Sequence, residues 1–368
     1  MRHLILLSIL VFVAGCTPRA TIVYAPNLGI AENTRTVFVS TTRQRDEFVL
    51  STRRASNPSY LRYDLSVPAN RAPGAIDWPK RGIIDPNTQF FAVGQMAYPD
   101  GNSFVADLRR ALQERPLADR EAVIYVHGFN NTFDEGVLRI TQLSEDFDLP
   151  GVALHYSWPS AGHPLGYAYD RDSLLIARDG LESLIAKAQQ AGASRIILVA
   201  HSVGSMLVME TLRQISIAKP GSVPRVIDGV ILISPDLDIQ LFHAQAARIG
   251  RLPNPFGIFV SKRDRVLNLS ARLTGQRNRL GNVSDVNSLS GLNVTVVDVS
   301  EFSTGTGHFT AGSSSAVIAI FSRAGALEAA FAGDSAGRAG LLPGTVLTVQ
   351  NATNIILSPG ALRRNSVQ

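Results

Sequence analysis

Cysteine is almost absent from this chain: there is one, Cys16, in 368 residues. No disulfide can form within it, and paired-thiol redox chemistry or a multi-cysteine metal site is excluded. Charge is sparse as well, at 18% of residues, and the net +5 is diffuse. Arg-Arg pairs stand at 53–54, 109–110 and 363–364, but no basic run is long enough to read as a nucleic-acid surface. The apolar run at residues 4–14 is too short to span a bilayer, and no internal repeat is found. What is present is a 45% hydrophobic composition in a chain long enough for one large domain or two modest ones, which fits a globular core.

The first residues, Met1-Arg2-His3, the apolar run and then Gly15-Cys16, read as a basic n-region and an h-region of signal-peptide length. The stretch Val13-Ala14-Gly15-Cys16 resembles the lipobox of bacterial lipoproteins, in which the cysteine is lipidated and becomes the mature N-terminus. An ordinary cleaved signal or a buried start helix is the alternative. The expected organisation is a signal peptide at 1–15, a tether at 16–35, a catalytic-type domain at 36–330 and a C-terminal tail at 331–368. Lipid on Cys16 would hold the chain at the membrane of a bacterial envelope. Thr17, by resemblance to known sorting patterns, favours the outer membrane facing the periplasm.

Short strands are expected at 36–40, followed by a charged stretch at 43–47, at 60–67 (an edge or early strand, ending at Pro68) and at 90–93. Ser103 is placed as the cap of a helix carrying Phe104, Leu108 and Leu112, ending before Pro116. The pattern then turns to strand–helix alternation. Apolar runs at 122–126, 152–156, 195–200, 226–234, 256–261 and 294–299 read as strands buried on both faces, with helices between most of them. Residues 265–292 read as an insert of loop with some helix, 316–321 as a closing helix, and 345–349 as one strand in the tail.

The arrangement centres on Ala200-His201-Ser202-Val203-Gly204, after one apolar strand and before helical spacing at Met206, Leu207, Met209, Leu212 and Ile215. Strand, small-x-Ser-x-small, helix is the context of a nucleophile elbow, in which the flanking residues must be small because the turn is sharp. A serine nucleophile needs a base, a carboxylate to orient that base, and N–H groups for the oxyanion, all at carboxyl ends of strands. Of the seven histidines, His3 is in the leader, His127, His155 and His163 precede the serine, His201 packs within the elbow, and His243 lies in a helix-like stretch. His308, in a glycine-rich loop after the last expected strand, is left as the base. Two strand ends compete for the acid. Asp264 is preferred because its strand is the last before the one leading to His308, and Asp236 is the alternative, with Asp238 close behind. His127-Gly128-Phe129-Asn130 follows the first buried strand, about 75 residues before the elbow, so the N–H groups of Phe129 and Val203 are the expected oxyanion donors. His127, Gly128, Asn130 and Trp158 are candidates to border the pocket, although a Trp in that place serves equally well as core.

With these residues on the page, the chain resembles the bacterial α/β-hydrolase family catalogued as a domain of unknown function, DUF900. The resemblance rests on residues 126–134, Ser157-Trp158-Pro159-Ser160, Tyr169-Asp170, the elbow, residues 234–238, Ser261-Lys262-Arg263-Asp264 and His308, and covers about 120–325. Val203 stands where members more often carry Met; only its backbone N–H is needed. The resemblance implies an α/β-hydrolase fold, a mostly parallel sheet flanked by helices with antiparallel N-terminal strands. It also implies Ser202 as nucleophile, Asp264 as acid and His308 as base, without metal or cofactor. The expected activity is a membrane-anchored serine hydrolase acting on a small ester or acyl substrate, esterase ahead of amidase or peptidase by prevalence, with no nucleic-acid partner. The rival from another class is a non-catalytic lipoprotein that uses the fold as a binding scaffold.

Overall fold

The computed structural model describes residues 19–28, 33–79, 83–275, 279–322, 344–349 and 352–357. The expected signal peptide and Cys16 lie outside the described residues. Eleven strands form one sheet in the order β10-β11-β9-β8-β7-β6-β4-β5-β1-β2-β3. They are β1 (Thr34–Asp46), β2 (Val49–Ser66), β3 (Phe91–Tyr98), β4 (Glu121–Val126), β5 (Val152–Ser157), β6 (Arg195–His201), β7 (Gly229–Ile233), β8 (Phe256–Val260), β9 (Val294–Asp298), β10 (Gly344–Val349) and β11 (Ala352–Leu357). From β1 across to β9 and β11 the pairings are parallel; β2 pairs antiparallel with both its neighbours, and β10 with β11. This is the α/β-hydrolase architecture.

The continuous apolar runs have a direct cause. Successive side chains of a strand point to opposite faces, and here both faces are covered. Ala122, Ile124 and Val126 of β4 face the helices Gly101–Gln113, Tyr167–Ala191, Gly204–Ala218 and Ile239–Ile249. Val123 and Tyr125 face the helices Phe133–Asp146 and Ser315–Phe321. Each crossover returns the chain to the same end of the sheet, so the carboxyl ends of β4, β6, β8 and β9 share one edge.

Several local expectations are corrected by the structure. Asp100, not Ser103, caps the helix Gly101–Gln113: its carboxylate accepts from the N–H groups of Asn102 and Ser103. The strand ending at Ser66 is not an edge, because β3 pairs with its outer side. The charged stretch 43–47 continues β1 as far as Asp46, since Arg43 turns inward and is satisfied there. The tether reading fails for the described part of 16–35. Ala20 is buried, Ala92 N–H of β3 donates to Val23 O at 2.9 Å, and Ala25 N–H donates to Ala92 O at 2.8 Å. The boundary at 330 also falls short, because β10 and β11 extend the sheet beyond β9. Residues 265–292 do hold loop with some helix, the helix Arg265–Leu273 and short turns at Leu280–Asn282 and Val286–Leu289, and they pack against the sheet. Leu280, Val283, Val286 and Leu289 are buried, and the backbone at 280–281 bonds to Leu237 and Pro235 beside the end of β7. No helix among the described residues is long and apolar enough to cross a membrane.

Candidate active site

Ser202 sits at the tip of β6 with φ of +54°, in the left-handed region that costs a non-glycine residue energy. The turn holds because its neighbours allow close approach. A Cβ on Gly204 would fall 2.5 Å from the carbonyl oxygen of His127 and 2.7 Å from that of Val126. Ala200 is fully buried. The helix Gly204–Ala218 therefore starts directly against the end of β4. Ser202 is only 3% exposed, and its Oγ is bonded to no group among the described residues.

His308 and Asp264 come together from the loops after β9 and β8. Asp264 Oδ2 accepts from His308 Nδ1 at 2.7 Å, and Oδ1 accepts from the Leu267 N–H at 2.9 Å, capping the helix Arg265–Leu273. A fully buried carboxylate is thus paired on both oxygens. The two loops are joined by further bonds. Arg265 N–H donates to Thr306 O at 3.0 Å, Lys262 N–H donates to Ser300 Oγ at 2.9 Å, and Ser261 and Ser303 hydroxyls lie 2.7 Å apart. Gly307, at φ of +72°, packs its Cα side against the Arg263 carbonyl, where a Cβ would approach to 3.1 Å. His308 Nε2 has no partner among the described residues. Asp236 does not reach this histidine. It takes the Ser270 hydroxyl at 2.8–2.9 Å and lies 3.1 Å from Arg279 Nε, and burial raises its pKa.

The loop after β4 presses on the elbow. A Cβ on Gly128 would meet Ser202 Cβ at 2.8 Å and His201 Nδ1 at 2.9 Å. Beyond it, the backbone is held group by group. Arg19 donates to Asn130 O at 2.5 Å and Oδ1 at 3.1 Å, and also pairs with Glu135 at 2.7 Å. Asp170 stands 3.5 Å from the Asn130 N–H. Arg43 Nη2 donates to Asn131 O at 3.0 Å, and Glu135 takes the Thr132 N–H at 3.0 Å in a capping box. Among the described residues, Phe129 N–H is left without an acceptor, as is Val203 N–H at the start of the elbow helix. Two uncommitted N–H groups beside a serine are what an oxyanion hole requires.

The expected pocket residues divide. Gly128 lies against Ser202, but His127 and Trp158 are fully buried and do not line the cavity bordered by Phe129 and Val203. Their rings stack at 4.8 Å, Trp158 Nε1 donates to His127 O at 2.8 Å, and His127 Nε2 lies 3.0 Å from Trp158 O. The pair ties the ends of β4 and β5 together. Burial, reinforced by Arg43, holds His127 far below its ordinary pKa, so it stays neutral. Asn130 turns its amide oxygen to Arg19 and is likewise not in the lining of that cavity. His201 packs against His308: its ring is 4.8 Å from that of His308 and 4.6 Å from Phe309, and burial keeps it uncharged.

Other residues of this region carry no local sequence signal. Arg43 is 1% exposed and donates to Ser157 Oγ, Ser160 O and Asn131 O. Burial lowers its pKa to about 10, so it remains a cation at neutral pH. Asp134, whose carboxylate accepts from Ile22 N–H, is pushed up to about 6 by burial. Only the capping box, Thr132 followed by Glu135, was readable as a local motif. Beside the uncommitted N–H groups lies a cavity of about 200 Å³, bordered by Phe129 and Val203.

Comparison with known proteins adds the following. An esterase of Pyrobaculum calidifontis (monoclinic form) aligns with a TM-score of 0.38 and 12% identity, over 81% of this chain and 86% of that one. No curated protein matches significantly. The family model described as alpha/beta hydrolase of unknown function (DUF900) matches residues 101–323, from the helix before β4 to just past the helix Ser315–Phe321, and the chain belongs to that family.

Proposed function

We propose that the chain is a serine hydrolase that cleaves carboxylic esters through an acyl-enzyme. The observation carrying this reading is the His308 Nδ1–Asp264 contact of 2.7 Å, in a loop whose other imidazole nitrogen is uncommitted. Ser202 Oγ attacks the carbonyl as His308 Nε2 takes its proton. Asp264 holds the Nδ1–H tautomer and stabilises the imidazolium that forms. The Phe129 and Val203 N–H groups receive the oxyanion; one such donor contributes about 3 kcal/mol to the transition state. His308 returns the proton to the leaving alkoxide, and water then resolves the acyl-enzyme by the same steps in reverse order.

A fluorophosphonate probe tests this without knowledge of the substrate. Wild-type protein is expected to be labelled and Ser202→Ala to be blank. Equal labelling of the two, or none of either, supports the rival reading of a non-catalytic scaffold.

We also propose that lipid on Cys16 anchors the chain at a bacterial envelope membrane. Arg19, three residues on, is bonded to the Asn130 loop, and three residues reach at most ~11 Å. Anchoring would therefore hold this side of the site close to the membrane surface. Wild-type protein is expected in the membrane fraction and Cys16→Ser in the soluble fraction; an unchanged distribution would rule the anchor out.

A further inference from the structure

The cavity beside the oxyanion donors has two chemically distinct parts. Its apolar lining comes from Phe129, Leu174, Met206, Leu237 and Leu241. A polar cluster of Arg279, Asp236 and Thr274 also borders it, and Asp238 and, from the helix Tyr167–Ala191, Tyr167, Asp170 and Arg171 complete the lining.

The carboxylates of this lining are largely spent on the protein itself. Asp170 takes Ser160 Oγ and Ala161 N–H, each at 2.6 Å. Asp238 caps the helix Ile239–Ile249 through Leu241 N–H, and Asp236 takes the Ser270 hydroxyl. The donors are not spent. Arg279 is 6% exposed, yet its side chain makes one hydrogen bond, from Nη2 to Thr274 Oγ1. Its Nε lies within ion-pair distance of Asp236 but is not aligned as a hydrogen bond, and Nη1 has no partner among the described residues. The Tyr167 hydroxyl and the Arg171 guanidinium are also without partners among the described residues. A buried guanidinium that leaves most of its five N–H groups unused is costly unless something else accepts them. A carboxylate suits that role, because its two oxygens match the planar guanidinium fork.

Resting on the acyl-enzyme reading above, we propose that the preferred substrate is a short ester whose cavity-bound end carries a carboxylate, received by Arg279 with Arg171 at the rim. The carboxylate binds as an acceptor and takes no part in the bond changes at Ser202. The volume, about 200 Å³, is small beside the ~300–1,000 Å³ of sites for drug-sized ligands. It admits a few carbons and a charged end, not a long acyl tail.

The test compares monomethyl glutarate with methyl pentanoate, matched in chain length, by pH-stat on the full chain. Glutarate is expected to win by at least about tenfold in kcat/KM, with most of the difference in KM, since the distal charge binds without touching the reacting bond. Arg279→Met is expected to bring the ratio to about one, and Arg171→Met to lower it partly. Because Arg279→Met leaves Asp236 without its cation, the double variant Asp236→Asn/Arg279→Met is run beside it, with melting curves for each. The same samples receive the fluorophosphonate probe. Labelling without a glutarate preference, or a preference that survives in the folded double variant, overturns the proposal alone. Absence of labelling in wild type overturns the acyl-enzyme reading on which it rests.

Discussion

Asp264→Asn is expected to lower kcat for an ester substrate by about 10⁴-fold while leaving the fold intact. The size follows from the two bonds this side chain makes. Leu267 N–H can only donate, so the asparagine must turn its oxygen to the helix Arg265–Leu273 and its NH₂ to His308. The cap is thereby preserved, since asparagine is as good a cap as aspartate. His308 Nδ1 is forced to accept, its proton moves to Nε2, and the ring can no longer take a proton from Ser202. Asp236→Asn is expected to act mainly on KM, because Asp236 touches Ser270 and Arg279 and not the histidine. Steady-state kinetics on both variants, with circular dichroism to verify folding, separate the two. A collapse of kcat in Asp236→Asn alone would move the acid to that residue.

The second large effect is expected from one methyl group. Gly128→Ala places a Cβ 2.8 Å from Ser202 Cβ and 3.1 Å from the His201 carbonyl. The loop has little room to retreat, because Arg19 holds Asn130 and Arg43 holds Asn131. Either Ser202 is pushed out of its turn or Phe129 N–H swings away from the oxyanion. Loss of one oxyanion donor costs about 10²–10³ in kcat, so a drop of that size is expected with KM little altered. The rate of fluorophosphonate labelling should fall in parallel. Retention of kcat within about threefold would show that the loop can yield and that Phe129 is not a donor.

These variants also mark the division between what was legible and what was not. The elbow could be read because its requirements are local: small residues at 200 and 204 and an apolar strand before them lie within one contiguous stretch. The parallel sheet was legible for a similar reason, since burial on both faces writes itself as unbroken apolar runs in β4, β5 and β6. Ala352–Leu357 was not seen as a strand, because it lies in a short tail segment whose place beside β9 depends on a pairing about sixty residues distant.

By itself, the sequence singled out Ser202, its place at a strand-to-helix turn, and the chain order Ser202, Asp264, His308, all properties of short segments. Tertiary structure alone distinguishes Asp264 from Asp236, for both follow a strand end and only the crossing of the β8 and β9 loops brings one of them into contact with His308. It also decided that Trp158 and His127 brace the sheet, and that Arg19, Arg43 and Arg279 converge on the site from three remote stretches. A buried arginine obeys no sequence period: its place is set by which distant carbonyls and carboxylates the folded chain leaves in need of a donor.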